Sequence, residues 1–223
     1  MVGEFKPLQI ILPRALAAPE VHILVTGIAR VTCLNASGER ITIALHAPGP
    51  IPGFTSSPQL ERFDFRCEAY TDCKVGSIHW NDFNCVTLRG AELAFTKFRE
   101  NDLQHYHRLL LRSSGVLKLD LHDRVAHTLL ELCSEFGVEE SRGTLLRQPF
   151  SHKDIADLVG ATRPRVTEHL AQLEREQFVI RQGRHFVVRV EELSQSLTPP
   201  HDSKRPQAFA TTPRIGTPEM SVS

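Results

Sequence analysis

The sequence predicts an α+β fold in which a β-rich N-terminal domain, a long helix and a helical C-terminal domain follow one another along the chain. Three observations predict it: short apolar or alternating runs fill residues 21–83, an amphipathic stretch covers residues 91–113, and residues 151–173 have the pattern of two short helices. The predicted regions of the 223-residue chain are 1–90 (β domain), 91–118 (long helix), 119–193 (C-terminal domain) and 194–223 (disordered tail rich in Ser, Thr and Pro).

Residues 21–83 have the pattern of several short β-strands. Their apolar runs are separated by turn signals, which include residues 35–38 (Asn-Ala-Ser-Gly) and the Pro-Gly pairs at 48–49 and 52–53. Short strands at this spacing predict a small sandwich or barrel. The first twenty residues contain three prolines and no clear period, so we expect one edge strand there or none.

Apolar residues recur mostly every three or four positions through residues 91–113, with charges between them, which predicts one long helix. This stripe is longer than one small sheet can cover, so we expect two copies of the chain to pack along it. A helix that packs only within its own chain is the alternative. The expected interface residues are Phe98, Leu103, Tyr106, Leu109 and Leu110. A second amphipathic helix is predicted over residues 120–136.

Residues 151–173 predict two short helices joined by a glycine turn. Ser151 and Asp154 have the spacing of a capping box, with Asp in place of the usual Glu or Gln. Gly160 stands where a tight turn needs positive φ, and Thr162 is expected to cap the second helix. Each helix has one apolar face at helical spacing, formed by Ile155, Val159, Val166, Leu170 and Leu173.

The opposite face of the second helix presents Arg163, Pro164, Thr167 and Glu168. Proline is tolerated in the first turn of a helix, because its missing N–H has no partner there in any case. In a helix-turn-helix, this face and this end of the recognition helix meet base edges in the major groove. The sequence therefore predicts a helix that contacts duplex DNA; an ordinary helical hairpin with scattered surface arginines is the alternative.

A β-hairpin with a basic turn is predicted next, because apolar residues 178–180 and 185–188 flank the segment from Arg181 to Arg184. Such a hairpin is typical of the wing of a winged helix. Between residues 141 and 190, nine Lys or Arg residues stand against five acids, although the whole chain has zero net charge. A basic module on a slightly acidic body is typical of a DNA-binding domain attached to another domain.

Several classes of protein are disfavoured by the composition. No apolar run approaches a membrane span, and the N-terminus lacks a signal-peptide pattern, so we expect no membrane partner and a cytoplasmic location. Five cysteines without a CxxC pair argue against a disulfide framework or a zinc site. Cys67 and Cys73 are either buried structural cysteines or a redox pair. No arrangement of catalytic residues is recognisable, so we expect no enzyme, metal or cofactor.

The order of these elements resembles the CRP/FNR family of bacterial transcription regulators. Residues 27–49 are similar to the hairpins of the family's sensor domain, residues 67–73 to a later strand, and residues 119–130 to the helix after the dimerisation helix. The match is closest over residues 151–188, the DNA-binding module. The resemblance implies an N-terminal β jelly-roll of the cyclic-nucleotide-binding type, here shortened at its start, a long dimerisation helix and a C-terminal winged helix-turn-helix.

For DNA, the resemblance implies a homodimer that binds the two half-sites of a palindrome, with RNA polymerase as a further candidate partner. Arg163 matches the family's leading base-contacting arginine, Pro164 falls where a base-reading glutamate often stands, and Glu168 falls where many members carry a second arginine. These departures predict a half-site unlike the best-known consensus. The residues expected to contact phosphates are His152, Lys153, Thr162, Arg165, Arg181 and Arg184.

The sensor domain departs further from the family's pattern. Pro50 and Pro52 remove two N–H donors from the segment that would hold a cyclic phosphate, and no glutamate follows the glycine. Gly53 and Arg62 would then be the remnant of a degenerate effector pocket, although Arg62 as a surface residue is the alternative. We therefore expect a regulator that does not bind cAMP and whose effector is unknown. The alternatives are an effector-gated sensor of the same family and a sensory or scaffold protein that has lost DNA binding.

Overall fold

The fold is taken from a computed structural model, which describes residues 1–12, 20–51, 64–88 and 118–197. It also describes the single residues Thr96, Arg99, Glu100, Leu103, His107, Leu110 and Ser114. The N-terminal elements are β1 (Val2–Phe5), β2 (Ile10–Leu12), β3 (Glu20–Thr26), β4 (Ala29–Leu34), β5 (Arg40–His46), β6 (Gly49–Ile51), β7 (Arg66–Ala69), β8 (Cys73–His79) and α1 (Trp80–Leu88). The C-terminal elements are α2 (Leu121–Phe136), β9 (Gly137–Glu140), β10 (Gly143–Leu146), α3 (His152–Val159), α4 (Arg163–Arg175), β11 (Val179–Gln182), β12 (His185–Val188) and α5 (Val190–Leu197).

The first eight strands form two four-stranded antiparallel sheets, one with the order β1-β8-β3-β6 and the other β2-β7-β4-β5. Both sheets contribute to one buried apolar cluster, in which Leu12, Leu24, Ile51 and Val75 are each at most 3% exposed. The strands predicted from the short apolar runs are present. The predicted α+β class, with a β-sandwich in its first part, is therefore confirmed.

The first twenty residues contain two edge strands, so the expectation of one or none was wrong. β1 pairs with β8 and β2 pairs with β7, and each therefore extends a different sheet. Both strands are only three or four residues long, and their partners come from far along the chain. A sequence window of local periodicity does not detect strands of this kind.

The helix after β8 begins earlier than the sequence predicted. The strand pattern was expected to reach residue 83 and the helix to start near residue 91, but α1 begins at Trp80. The Trp80 and Phe83 rings stack with their centroids 5.8 Å apart, as residues three apart on a helix can. The residues described between 96 and 118 are also helical. Among the described residues, no helix is long and apolar enough to span a membrane.

The C-terminal domain packs its helices against a four-stranded antiparallel sheet with the order β11-β12-β10-β9. Its core includes Val125, Leu129, Ile155, Leu170 and Phe186, each at most 2% exposed. The two short helices, α3 and α4, and the β11–β12 hairpin confirm the predicted winged helix-turn-helix. The hairpin supplies two of the four strands of this sheet. The other two, β9 and β10, precede α3 in the chain.

β9 and β10 were not predicted, because four-residue strands with mixed polarity carry no clear alternation. One glycine was the available signal for them. Gly143 has a φ of +133°, and a Cβ on it would lie 2.5 Å from the carbonyl oxygen of Val188. A residue with a side chain would therefore separate β10 from β12.

The C-terminal boundary lies beyond the predicted one. The disordered tail was expected from residue 194, but α5 continues to Leu197, and Leu193 and Leu197 pack on the core of the C-terminal domain. The apolar residues at 193 and 197 are four positions apart, which is the spacing that buries one helical face. Residues 198–223, the rest of the predicted tail, lie outside the described residues.

A substitution of Leu129 tests the packing of this core. It is fully buried on α2, so Leu129→Ala is expected to lower the free energy of unfolding by about 2–5 kcal/mol through lost burial and the cavity left behind. Chemical denaturation followed by circular dichroism measures it. His127→Ala, on the exposed face of the same helix, is the control and should cost no more than about 0.5 kcal/mol. Equal costs for the two variants would contradict the placement of α2.

Candidate nucleic-acid interface

The helix before the recognition helix begins with the predicted capping box. The Ser151 N–H donates to Asp154 Oδ2 at 2.9 Å, and the Asp154 N–H donates to Ser151 Oγ at 3.1 Å. These bonds satisfy two N–H groups that the first turn of α3 would otherwise leave without partners. The start of α3 is therefore fixed by local chemistry.

The turn between α3 and α4 also follows the prediction. Gly160 adopts the left-handed conformation, with φ +67°, and its N–H donates to the carbonyl groups of Ala156 and Asp157. α4 then begins at Arg163 with Pro164 in its first turn. Thr162 occupies the N-cap position with extended backbone angles, but its side chain makes no capping bond, so the expected cap was wrong.

The residues predicted to meet base edges lie together on the exposed side of α4. Val166, Leu170 and Leu173 are buried, which turns Arg163, Pro164, Thr167 and Glu168 to solvent. Within the described part of the chain, the Arg163 guanidinium makes no hydrogen bond or ion pair. The arrangement presents a free bidentate donor at the first turn of the recognition helix, where major-groove contacts are made.

The wing places Arg181 and Arg184 differently. Arg184 lies in the two-residue turn beside Gly183, whose φ is +64°, and it is exposed. Arg181 lies within β11 rather than in the turn, and its guanidinium bonds His152 Nε2 at 2.5 Å. Its Nε also lies 3.5 Å from a carboxylate oxygen of Glu174. Of the two arginines, Arg184 is the one whose side chain is available to a phosphate.

Two further residues expected at phosphates are engaged within the chain. His152 is half-buried, and its Nδ1 lies 2.8 Å from Thr167 Oγ1 while Nε2 is bonded by Arg181. Lys153 Nζ donates to Glu39 at 2.9 Å and to Asp157 at 3.0 Å, and these bonds raise the pKa of Lys153. Arg165 is exposed on α4.

A contact between the β-sandwich and α3 was not foreseen from the sequence. The Thr42 N–H donates to Asp157 Oδ2 at 2.9 Å, and the Tyr70 hydroxyl donates to Asp154 Oδ2 at 2.9 Å. Burial and the Asp154 carboxylate raise the pKa of Tyr70. Leu45 of β5 joins the core cluster of the C-terminal domain. Partners more than eighty residues apart leave no local pattern, so no sequence signal could have found this contact.

The predicted dimer residues are described only in part. Leu103 and Leu110 are helical, seven residues apart, and 55% and 51% exposed in the single chain. A separation of seven puts both on one face of a helix. Phe98, Tyr106 and Leu109 lie outside the residues whose side chains are described, as do Gly53 and Arg62 of the predicted degenerate pocket.

Cys67 and Cys73 belong to the core of the sandwich. They are 0% and 2% exposed, and both are free thiols. Burial raises the pKa of Cys67 to about 12, and Cys73 Sγ donates to the carbonyl oxygen of Ile28 at 3.1 Å. A thiol that stays protonated and inaccessible is a poor nucleophile, which favours the structural interpretation over a redox pair.

Comparison with known proteins agrees with this geometry. Residues 123–196 match the family model of the Crp-like helix-turn-helix domain. The chain is 27% identical over 168 residues to the global nitrogen regulator of Synechococcus elongatus, an alignment that covers 73% of each chain. It is 26% identical over 198 residues to the nitrogen fixation regulation protein FixK of Rhizobium meliloti, covering 88% of this chain and 87% of that one.

Two solved structures share the fold over nearly the whole chain. FixK2 from Bradyrhizobium japonicum matches with a TM-score of 0.69 and 24% identity, covering 87% of this chain and 96% of that one. A CooA mutant from Carboxydothermus hydrogenoformans matches with a TM-score of 0.71 and 18% identity, covering 89% and 88%. Residues 123–196 therefore form a Crp-like helix-turn-helix domain, and the chain is similar over most of its length to transcription regulators. The two solved structures show that it shares their fold.

Proposed function

We propose that this chain is a DNA-binding transcription regulator of the CRP/FNR family, and that it acts as a homodimer that binds a palindromic duplex, with one α4 in each of two successive major grooves. The observation that carries the proposal is the exposed Arg163 in the first turn of α4, whose opposite face is buried through Val166, Leu170 and Leu173; Arg184 is exposed on the wing. In this arrangement, a guanidinium can bond O6 and N7 of guanine together, while the wing reaches the flanking phosphate.

The dimer in this proposal is supported by the exposed pair Leu103 and Leu110. Two large apolar side chains on one helical face lose water contact when a second copy packs against them. A two-fold dimer requires a two-fold DNA site with half-sites about one helical turn, roughly 34–36 Å, apart. Recruitment of RNA polymerase would follow from where such a site lies relative to a promoter.

Within this proposal the sensor domain is not a cAMP receptor. The prolines at 50 and 52 and the missing glutamate carry that part of the proposal. Pro50 lies in the edge strand β6, opposite Ile23 of β3, so it is part of the sheet. A strand proline offers no N–H to a phosphate. The effector, if the domain has one, is of another chemistry.

The experiment is selection of duplexes from a random pool by the purified protein with no ligand added. The proposal predicts enrichment of a two-fold symmetric site with guanine in each half-site opposite Arg163, and no change on addition of cAMP. Enrichment of an asymmetric site would contradict the dimer. A pool that remains unenriched, with or without cAMP, would mean either that another effector gates binding or that the chain is a scaffold that has lost DNA binding.

An effector-gated regulator is the second candidate, and the contact between Lys153 and Glu39 favours it. Through Glu39, the N-terminal domain bonds a lysine that the sequence predicts to contact a phosphate, and the same domain bonds α3 through Thr42 and Tyr70. A signal that shifted the sensor domain would release Lys153 for a phosphate. Under this candidate the protein without effector binds DNA below its full affinity.

Glu39→Gln tests whether the bond between Lys153 and Glu39 limits DNA binding. Glu39 is well exposed, and surface ion pairs contribute at most about 1 kcal/mol, so we expect an increase of up to about fivefold in DNA affinity without effector. Fluorescence anisotropy with the selected duplex measures it. Glu4→Gln removes the same charge from the ion pair with Lys74, which joins β1 and β8, and is the control. Equal affinities for the two variants would argue against gating through this contact.

A further inference from the structure

Four groups form a continuous hydrogen-bonded series from the wing to the recognition helix. Arg181 of β11 bonds His152 Nε2 at 2.5 Å, His152 Nδ1 bonds Thr167 Oγ1 at 2.8 Å, and Thr167 Oγ1 bonds the carbonyl oxygen of Arg163 at 2.9 Å. The series joins β11, the first residue of α3 and the first turns of α4. It therefore connects the two elements that approach DNA in the proposed function.

The chemistry of the groups sets the direction of every bond in the series. A guanidinium only donates, so His152 Nε2 must accept from Arg181 with its lone pair. In the neutral imidazole the single proton then lies on Nδ1, which donates to Thr167 Oγ1. The Thr167 hydroxyl donates in turn to the Arg163 carbonyl, which has no proton to offer.

The surroundings of His152 keep it neutral and in place. Burial and the positive charges of Arg181 and Arg163 lower the pKa of His152, and the carboxylate of Glu174 opposes them only in part. The ring also stacks on Phe186, with centroids 6.1 Å apart and planes 27° apart. Phe186 is 2% exposed, so the surface under the imidazole is part of the rigid core.

Thr167 is consequently left with a defined set of contacts for DNA. Its hydroxyl proton is directed to the Arg163 carbonyl and one lone pair is filled by His152, so a single lone pair and the methyl group remain. We propose that Thr167 reads its base as an acceptor and through its methyl group, and that His152 is the positioning residue that sets this polarity. This proposal rests on the function proposed above.

Because Thr167 can only accept a hydrogen bond and offer its methyl group, it can contact only some base edges favourably. The amino groups of adenine and cytosine donate to a free lone pair, and the thymine methyl packs against the threonine methyl. Guanine O6 and N7 are acceptors, and they would face the Thr167 lone pair without a proton between them. Thr167 thus selects against guanine on the strand it contacts, whereas Arg163 selects for guanine.

The test compares selections from the same random duplex pool by the wild type and three variants. Thr167→Val keeps a methyl group but removes the hydroxyl, Thr167→Ser does the reverse, and His152→Ala removes both ring nitrogens. We expect His152→Ala and one of the two Thr167 variants to alter preference at one base pair per half-site, which in the wild type is adenine, cytosine or thymine on the contacted strand. At an adenine or cytosine, Thr167→Val should lose about fivefold or more in affinity and Thr167→Ser little; at a thymine, the order reverses.

His152→Asn is the rescue variant, because its amide nitrogen stands where Nδ1 does and can donate to Thr167. It should restore the wild-type preference that His152→Ala flattens. Thermal melting by circular dichroism checks that both variants fold. A uniform loss of affinity with unchanged preference in His152→Ala would make His152 merely structural and overturn the positioning role.

A 7-deazapurine at the affected base pair, which lacks the N7 acceptor, distinguishes a Thr167 hydroxyl that accepts from the base from one that donates to N7. The proposal predicts that Thr167→Val has the same effect on affinity with and without N7; a coupling of fivefold or more would mean that Thr167 donates to N7 and would overturn the proposal. Unaltered preferences in both Thr167 variants would overturn it as well, while leaving the proposed function intact. Failure of the wild type to enrich any duplex would instead overturn the proposed function, and this proposal with it.

Discussion

Arg163→Ala is expected to cost about 1–3 kcal/mol of binding free energy at each half-site of the selected palindrome and to relax selectivity at one base position. The Arg163 side chain is exposed, stands at the first turn of α4 and has no hydrogen-bond partner among the described residues, so it reaches DNA without breaking an internal contact. The backbone carbonyl of residue 163, which holds Thr167, is kept in the variant.

Anisotropy titrations on the palindrome, and on duplexes with the guanine replaced, measure this effect. The matched control is Arg184→Ala, which removes the same charge from the wing. It is expected to weaken binding to all duplexes by a similar factor, because a phosphate contact carries no sequence information. If Arg163→Ala also weakened all duplexes equally, Arg163 would touch only phosphate and α4 would not read sequence through it.

Replacing Leu103 and Leu110 together with serine is expected to convert the proposed dimer to a monomer and to lower affinity for the proposed palindrome by about 100-fold or more. The reason is that the second half-site is bound at high effective concentration only while the two protomers are joined. Both leucines are about half exposed in the single chain and lie on one helical face, so the change should leave each protomer folded.

Sedimentation velocity gives the mass of this double variant, and anisotropy gives its affinity. Val2→Ser with Leu8→Ser removes two exposed apolar side chains, one from β1 and one from the turn after it, and is the control; it should keep the oligomeric state of the wild type. A Leu103/Leu110 variant that sediments as a dimer would place the interface elsewhere, whatever its affinity for DNA.

The helix-turn-helix was predictable because its signals are local. The capping box joins residues three apart, the apolar face repeats every three or four residues, and Gly160 alone supplies the positive φ. The expected Thr162 cap failed although Thr162 occupies the N-cap position, since residue type identifies a capping position without determining the rotamer that makes the bond.

The sandwich was predictable as a class but not strand by strand. The alternation in β4 and β5 is clear, whereas β1 and β2 depend on partners far along the chain. The predicted start of α1 was too late because Trp80 and Phe83 favour strands by propensity. In the structure they stack as neighbours on one helix. Short-range patterns assign an element's type more reliably than its ends.

The sequence could not predict that two residues expected to contact phosphates already form hydrogen bonds within the chain. Lys153 bonds Glu39 of the sandwich, and His152 bonds Arg181 of the wing; both pairs form only once the domains and the wing have folded. A basic residue at the right place on α3 predicts where charge lies. Whether that charge is already paired depends on tertiary contacts.

The central claim, a dimer on a two-fold site, is tested most directly by sedimentation equilibrium of the protein with the selected palindrome and with a duplex that carries one half-site. We predict two protomers on each palindrome, bound as a unit, and at least about 100-fold weaker binding to the single half-site. One protomer per palindrome, or two that bind with the same affinity as on the isolated half-site, would contradict the account.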